Sequence, residues 1–108
     1  ADGQRGEYPT FVRSVIANGS QVLVVGYYEP PVGASTELSD CGPEFEELNR
    51  RLETMACATG SVYFASAADV IDPTNRDHYF EDLIHPSVEG SRLIGEQLAT
   101  IINANSTD

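Results

Sequence analysis

Asp82 and His85 stand three residues apart in the stretch Asp82-Leu83-Ile84-His85-Pro86-Ser87. An acid at that spacing on one loop can fold back so that its carboxylate accepts the imidazole Nδ1 proton. That contact fixes the tautomer and leaves Nε2 free to take a proton from a nucleophile. Pro86 holds His85 in extended backbone, and Ser87 is placed to cap a helix behind it. The simpler alternative is a loop ion pair that only closes the start of that helix. Asp77, His78, Asp82 and His85 also read as a possible metal cluster, although a histidine beside Tyr79-Phe80 more often packs than ligates. The reading adopted has no metal and no cofactor.

The elements that must position this pair follow from periodicity. A polar opening, Ala1 to Glu7, gives way to a helix started by Tyr8-Pro9. Phe11, Val12, Val15 and Ile16 share one face of it, and Asn18-Gly19 stops it. Gln21 to Tyr28 (QVLVVGYY) is a continuous apolar, β-branched run, suited to a parallel strand covered on both faces. Glu29 to Gly42 has no period and reads as a long loop leaving the strand's C-terminal end, the side on which α/β sheets bind ligands. Pro43 opens a second helix with its apolar stripe at Phe45, Leu48, Leu52 and Met55. Ser61 to Ala65 (SVYFA) is a second buried strand. Ala68 to Glu81 is a loop with a turn at Asp72-Pro73-Thr74-Asn75. The last helix runs from about Val88 to Ile102 on a stripe of Ile94, Leu98 and Ile101, with Leu93 and Ile102 beside it.

Asp-x-x-His-Pro, placed after a β-α-β pattern and before a final amphipathic helix, resembles the last conserved block of SGNH (GDSL-type) serine esterases and lipases. The resemblance implies a flavodoxin-like, doubly wound parallel sheet in a three-layer α/β/α domain. Of this domain, residues 1–108 would supply the last two strands and three helices. It implies a Ser-His-Asp triad in which Asp82 orients and His85 acts as general base and acid on an ester or acyl substrate. The family's serine block is absent: neither Gly-Asp-Ser-Leu nor Gly-x-Ser-x-Gly occurs, and Ser35, Ser61, Ser66 and Ser91 sit in no recognisable elbow. Relatives carry a Gly-x-Asn-Asp block often running on into Gly and Arg. In the opening Ala1-Asp2-Gly3-Gln4-Arg5-Gly6, Asp2 and Gly3 would be the end of that block with Ala1 where Asn would stand; the equal alternative is an unrelated polar terminus.

Two parallel strands make a poor independent sheet, and their outer edges are open to pairing. The expectation is therefore a part-domain completed by upstream strands of the same enzyme or by a swapped homodimer. The rival is a non-catalytic acidic module that pairs its open edges with itself or a partner. Tyr27, Tyr28, Tyr79 and Phe80 flank the strand ends and the histidine loop. They are candidates for an acyl or aryl pocket, with core packing the plainer role for most of them.

Composition bounds the partners. With 108 residues, 17 acids against six cations and a net charge of −11, nucleic acid and anionic membrane are poor partners. No apolar run is long enough to span a membrane, and no charged-then-apolar leader opens the chain. Cys41 and Cys57 have neither metal-ligand nor disulfide-framework spacing. A helix between them would hold their Cα atoms roughly 20 Å apart, beyond bridging distance. Both read as buried or half-buried thiols, the alternative being a disulfide to another segment.

Overall fold

A computed structural model describes residues 5–105. The correspondence drawn for Ala1 to Gln4 lies outside the described residues. The order is α1 (Glu7–Ala17), β1 (Val22–Gly26), α2 (Gly42–Thr59), β2 (Val62–Ser66) and α3 (Val88–Ala104). Two single-turn 3-10 segments, Ala67–Asp69 and Arg76–His78, punctuate the loop before α3. The fold is thus a small α/β unit with three helices and a two-stranded parallel sheet, in register Val22↔Val62 through Gly26↔Ser66.

Local chemistry sets the boundaries. The α1 helix ends where Asn18 and Gly19 donate backbone hydrogen bonds to Val15 and Ile16, and Gly19 takes φ 92°. Pro43 sits in the first turn of α2, where its missing N–H costs nothing. Ser87 caps α3 by accepting from the Gly90 N–H. The charged face of α2 pairs Glu47 with Arg50 and Arg51 in solvent, where such contacts add little stability.

The core cluster lies on one face of the sheet, while Ala65 on the other face of β2 is also buried. Val12 and Ile16 of α1 and Leu52, Met55 and Ala56 of α2 pack on Val22 and Val24 of β1 and on Val62 and Phe64 of β2. Strand alternation turns Leu23 and Val25 to the opposite face, where Val25 is 40% exposed. The expectation that β1 is covered on both faces is therefore not met among the described residues. The apolar stripes are likewise only partly covered: Phe11 is 63% exposed, Leu48 38% and Ile102 57%. Helical period predicts which residues share a face, but a neighbour must be present to bury them. Cys57 is exposed, not buried, because it lies on the solvent side of α2; Cys41 is half-buried and both thiols are free.

Gly90 fixes the approach of α3 to the loop. A Cβ there would collide with the backbone carbonyl oxygen of His78. The same oxygen accepts from the Ser87 N–H, so it cannot withdraw without releasing the helix start. Gly90→Ala is expected to destabilise the fold by roughly 2–3 kcal/mol through this overlap, read as a lower urea midpoint. An unchanged midpoint would mean the close approach is not kept.

Candidate active site

The histidine loop is built as a closed turn. His78 to Phe80 runs antiparallel to His85 to Ser87: Phe80 N–H donates to the His85 carbonyl at 2.8 Å, and Ser87 N–H to the His78 carbonyl at 3.0 Å. Between them the chain reverses through a Leu83 N–H to Phe80 carbonyl bond of 2.9 Å. Leu83 takes φ 57°, a left-handed conformation that costs a non-glycine residue on the order of 1 kcal/mol. The cost is held in place by Asp82. Its Oδ1 accepts from the backbone N–H groups of Ile84 and His85, both at 3.0 Å.

That leaves Oδ2 for the imidazole, and His85 Nδ1 lies 2.6 Å from it. Both sequence-derived site residues are thus brought together. The carboxyl of Asp82 is held down to about 2, first by the His85 hydrogen bond and then by the two backbone donors. As a carboxylate it can only accept, so the shared proton resides on Nδ1 and Nε2 is the basic nitrogen of neutral His85. Among the described residues nothing hydrogen-bonds Nε2. The His85 side chain is 74% exposed and that of Asp82 36%.

Tyr28 fastens this turn to the sheet. It follows β1, and its hydroxyl donates to the Ile84 carbonyl at 2.6 Å. The dyad is thereby tied to the C-terminal end of β1. Burial, and then the Asp82 charge, raise the Tyr28 pKa and keep it a donor. The Tyr79 hydroxyl donates to the Glu29 carbonyl at 2.6 Å, and its ring meets Tyr28 edge-on with centroids 6.0 Å apart. Behind them Asn49 of α2 accepts from Tyr27 N–H and donates to the Tyr27 carbonyl, both at 2.8 Å. Asn49 was not signalled by sequence. Its one clue is a short polar residue beside the apolar stripe of α2. Gly26 makes room for it, since a Cβ there would lie 2.6 Å from Asn49 Oδ1 and 2.8 Å from Phe64 Cζ.

Tyr28→Phe should therefore leave the fold intact and loosen the turn by about 1 kcal/mol, one neutral hydrogen bond. The expected readout is a several-fold faster solvent exchange of the His85 Nδ1 proton in NMR spectra. Unchanged exchange would show that the turn holds itself.

The other candidates are placed elsewhere. His78 Nδ1 accepts from the Asp72 N–H at 2.9 Å, so it packs the preceding turn. No group of three His, Cys, Asp or Glu side chains converges to hold a metal among the described residues. Tyr27 and Tyr28, with Phe45, Leu83, Ile84 and His85, line a cavity of about 470 Å³. Tyr79 is buried and Phe80 is 54% exposed, and neither lines it. No described helix is long and apolar enough to cross a membrane. No family model matches the chain, and neither a curated protein nor a solved structure does.

Proposed function

We propose that this chain supplies the Asp-His part of a serine ester hydrolase of the SGNH type. The observation that carries the reading is the 2.6 Å contact between Asp82 Oδ2 and His85 Nδ1, with Nε2 left to the solvent side beside a lined cavity. In this reading a serine from another segment attacks the ester carbonyl carbon and passes its hydroxyl proton to His85 Nε2. Asp82 stabilises the imidazolium. The tetrahedral intermediate collapses, the alcohol leaves with the proton from Nε2, and an acyl-serine remains. Water then repeats the cycle, giving up a proton to Nε2 and releasing the acid, while the serine oxygen regains its proton.

The finer architecture belongs to the same proposal: the chain is the last part of a three-layer, doubly wound domain. Its support is the surface left open. The accessible area is 6905 Å², against roughly 5,900 Å² for a monomer of this mass. The radius of gyration is 15.2 Å, against about 13 Å for a compact domain of this length. A groove of about 520 Å³, lined by Tyr8 and Pro9 of α1, Val25 of β1 and Leu48, Leu52 and Met55 of α2, runs beside β1, whose outer edge has no partner strand among the described residues. The same groove favours the second reading, an acidic module that completes its sheet with a partner strand and has no catalytic role.

Activity-based labelling separates the two. The polypeptide as its gene encodes it is treated with an alkyl fluorophosphonate, which loses fluoride as it phosphonylates an activated serine. The expected result is one labelled serine outside residues 1–108 and labelling slowed at least about a hundredfold by His85→Ala. The isolated chain is expected to cleave p-nitrophenyl esters no faster than free imidazole, because the oxyanion donors and nucleophile supply most of the rate. Absence of labelling leaves the interaction module. A labelled serine within residues 1–108 overturns the part-domain reading.

A further inference from the structure

Asn49 of α2 holds the chain where it leaves β1. Its amide pairs with a single residue: Oδ1 accepts from the Tyr27 N–H and Nδ2 donates to the Tyr27 carbonyl, both at 2.8 Å. The two strands stop pairing at Gly26 and Ser66, so this amide gives Tyr27 the partners that a neighbouring strand would give. Nδ2 also lies 3.5 Å from Ser66 Oγ at the end of β2. Phe45 stands one helical turn earlier on the same face of α2. Its ring stacks on that of Tyr27, with centroids 5.4 Å apart and planes 13° from parallel. One helix therefore grips both the backbone and the ring of Tyr27. Gly26 lets the grip close, since a Cβ there would lie 2.6 Å from Asn49 Oδ1.

The next residue is Tyr28, whose hydroxyl donates to the Ile84 carbonyl at 2.6 Å. Ile84 belongs to the dyad turn, with its own N–H on Asp82 Oδ1 at 3.0 Å. Contacts thus run unbroken from α2 to the imidazole: Asn49 and Phe45 to Tyr27, Tyr27 through one peptide bond to Tyr28, and Tyr28 to the turn. We infer that Asn49 is a positioning residue, which through Tyr27 and Tyr28 fixes where the Asp82–His85 turn stands at the end of the sheet. The inference rests on the hydrolase reading, in which His85 Nε2 has to meet a serine carried by another segment. A misplacement of about 1 Å there costs on the order of a hundredfold in rate. A side chain that only satisfied the end of β1 would add stability and leave the imidazole unaffected.

The test is a double-mutant cycle on the polypeptide as its gene encodes it, read by solvent exchange of the His85 Nδ1 proton. Asn49→Ala and Tyr28→Phe should each speed exchange, by about fivefold at most, because the route from Asn49 ends in the one Tyr28 hydrogen bond. The double variant should also show about fivefold and not about twenty-fivefold, since both changes cut the same route. Asn49→Asp is the near-isosteric variant: it keeps an acceptor for the Tyr27 N–H, sets a carboxylate oxygen against the Tyr27 carbonyl, and should speed exchange likewise. Labelling by an alkyl fluorophosphonate should slow by a common factor of about tenfold in Asn49→Ala and Tyr28→Phe, with the half-saturating reagent concentration unchanged. Exchange unchanged in both Asn49 variants, or effects that multiply in the double variant, would overturn the inference and leave Asn49 a stabiliser of the strand end. Failure of the hydrolase reading shows differently. An unsubstituted protein that takes no label removes that reading and catalytic positioning with it, whereas labelling with unaltered exchange removes the positioning role alone.

Discussion

Under the proposed hydrolase reading, Asp82→Asn is expected to lower ester turnover by the native polypeptide by about four orders of magnitude, and His85→Ala by at least as much. The reason for the first lies in the turn. The introduced amide could keep its carbonyl oxygen under the Ile84 and His85 N–H groups, where Asp82 Oδ1 now accepts both at 3.0 Å. Its NH₂ would then face His85 Nδ1. A donor facing Nδ1 forces that nitrogen to accept, which puts the imidazole proton on Nε2 and removes the base. The fold and the turn should survive while the chemistry is lost. A variant retaining a tenth or more of wild-type turnover would show that the pair serves only to close the loop before α3.

The pH dependence of the pair has a definite sign. The Asp82 carboxyl falls from the ordinary 3.8 to about 2 on folding, chiefly through the His85 hydrogen bond. A depressed carboxyl adds stability above its unfolded value, and the gain is lost as pH falls through the folded one. The contribution is thus complete above about pH 4 and gone below about pH 2. The side-chain ¹³C signal of Asp82 should titrate in that window, and in the His85→Ala protein it should move back up toward 3.8. A carboxyl titrating near the ordinary value with His85 present would count against the contact.

The second large effect is on folding. Residues 1–108 expressed alone are expected to give no clean monomer with a cooperative, concentration-independent melt. Val25, Phe11, Leu48 and Ile102 remain 38% to 63% exposed, and the groove beside β1 adds Leu52 and Met55 to its walls. A few hundred Å² of uncovered apolar area forfeits on the order of 10 kcal/mol, comparable with the whole stability of a small domain. Sedimentation at two concentrations with thermal melting reads the outcome. Self-association, or a melt that sharpens and rises when the proposed upstream strands are supplied, is the expected result. A stable monomer would mean that the exposed stripes are tolerated and that the groove is no docking edge.

The five main elements were legible in the sequence because each carries its own local signal. Continuous β-branched runs gave the strands within a residue or two, and apolar residues at helical spacing gave the helices. The stop at Asn18-Gly19 and the cap at Ser87 depend only on neighbouring backbone. The acid-histidine pair was equally local: three residues of spacing suffice for Asp82 to reach both its own loop backbone and the imidazole. Even so, the left-handed Leu83 on which the turn depends has no signature in a leucine.

Tertiary structure alone decided what lies between elements. Asn49 and Tyr27 are joined across 22 positions and Tyr28 and Ile84 across 56, and no periodicity encodes such a pairing. The cavity exists because the loop after β1, the start of α2 and the histidine turn meet at one end of the sheet. Which apolar stripes are buried was undetermined for the same reason. Sequence period assigns residues to a face, whereas burial requires a neighbour at that face, as Met55 has and Leu48 lacks.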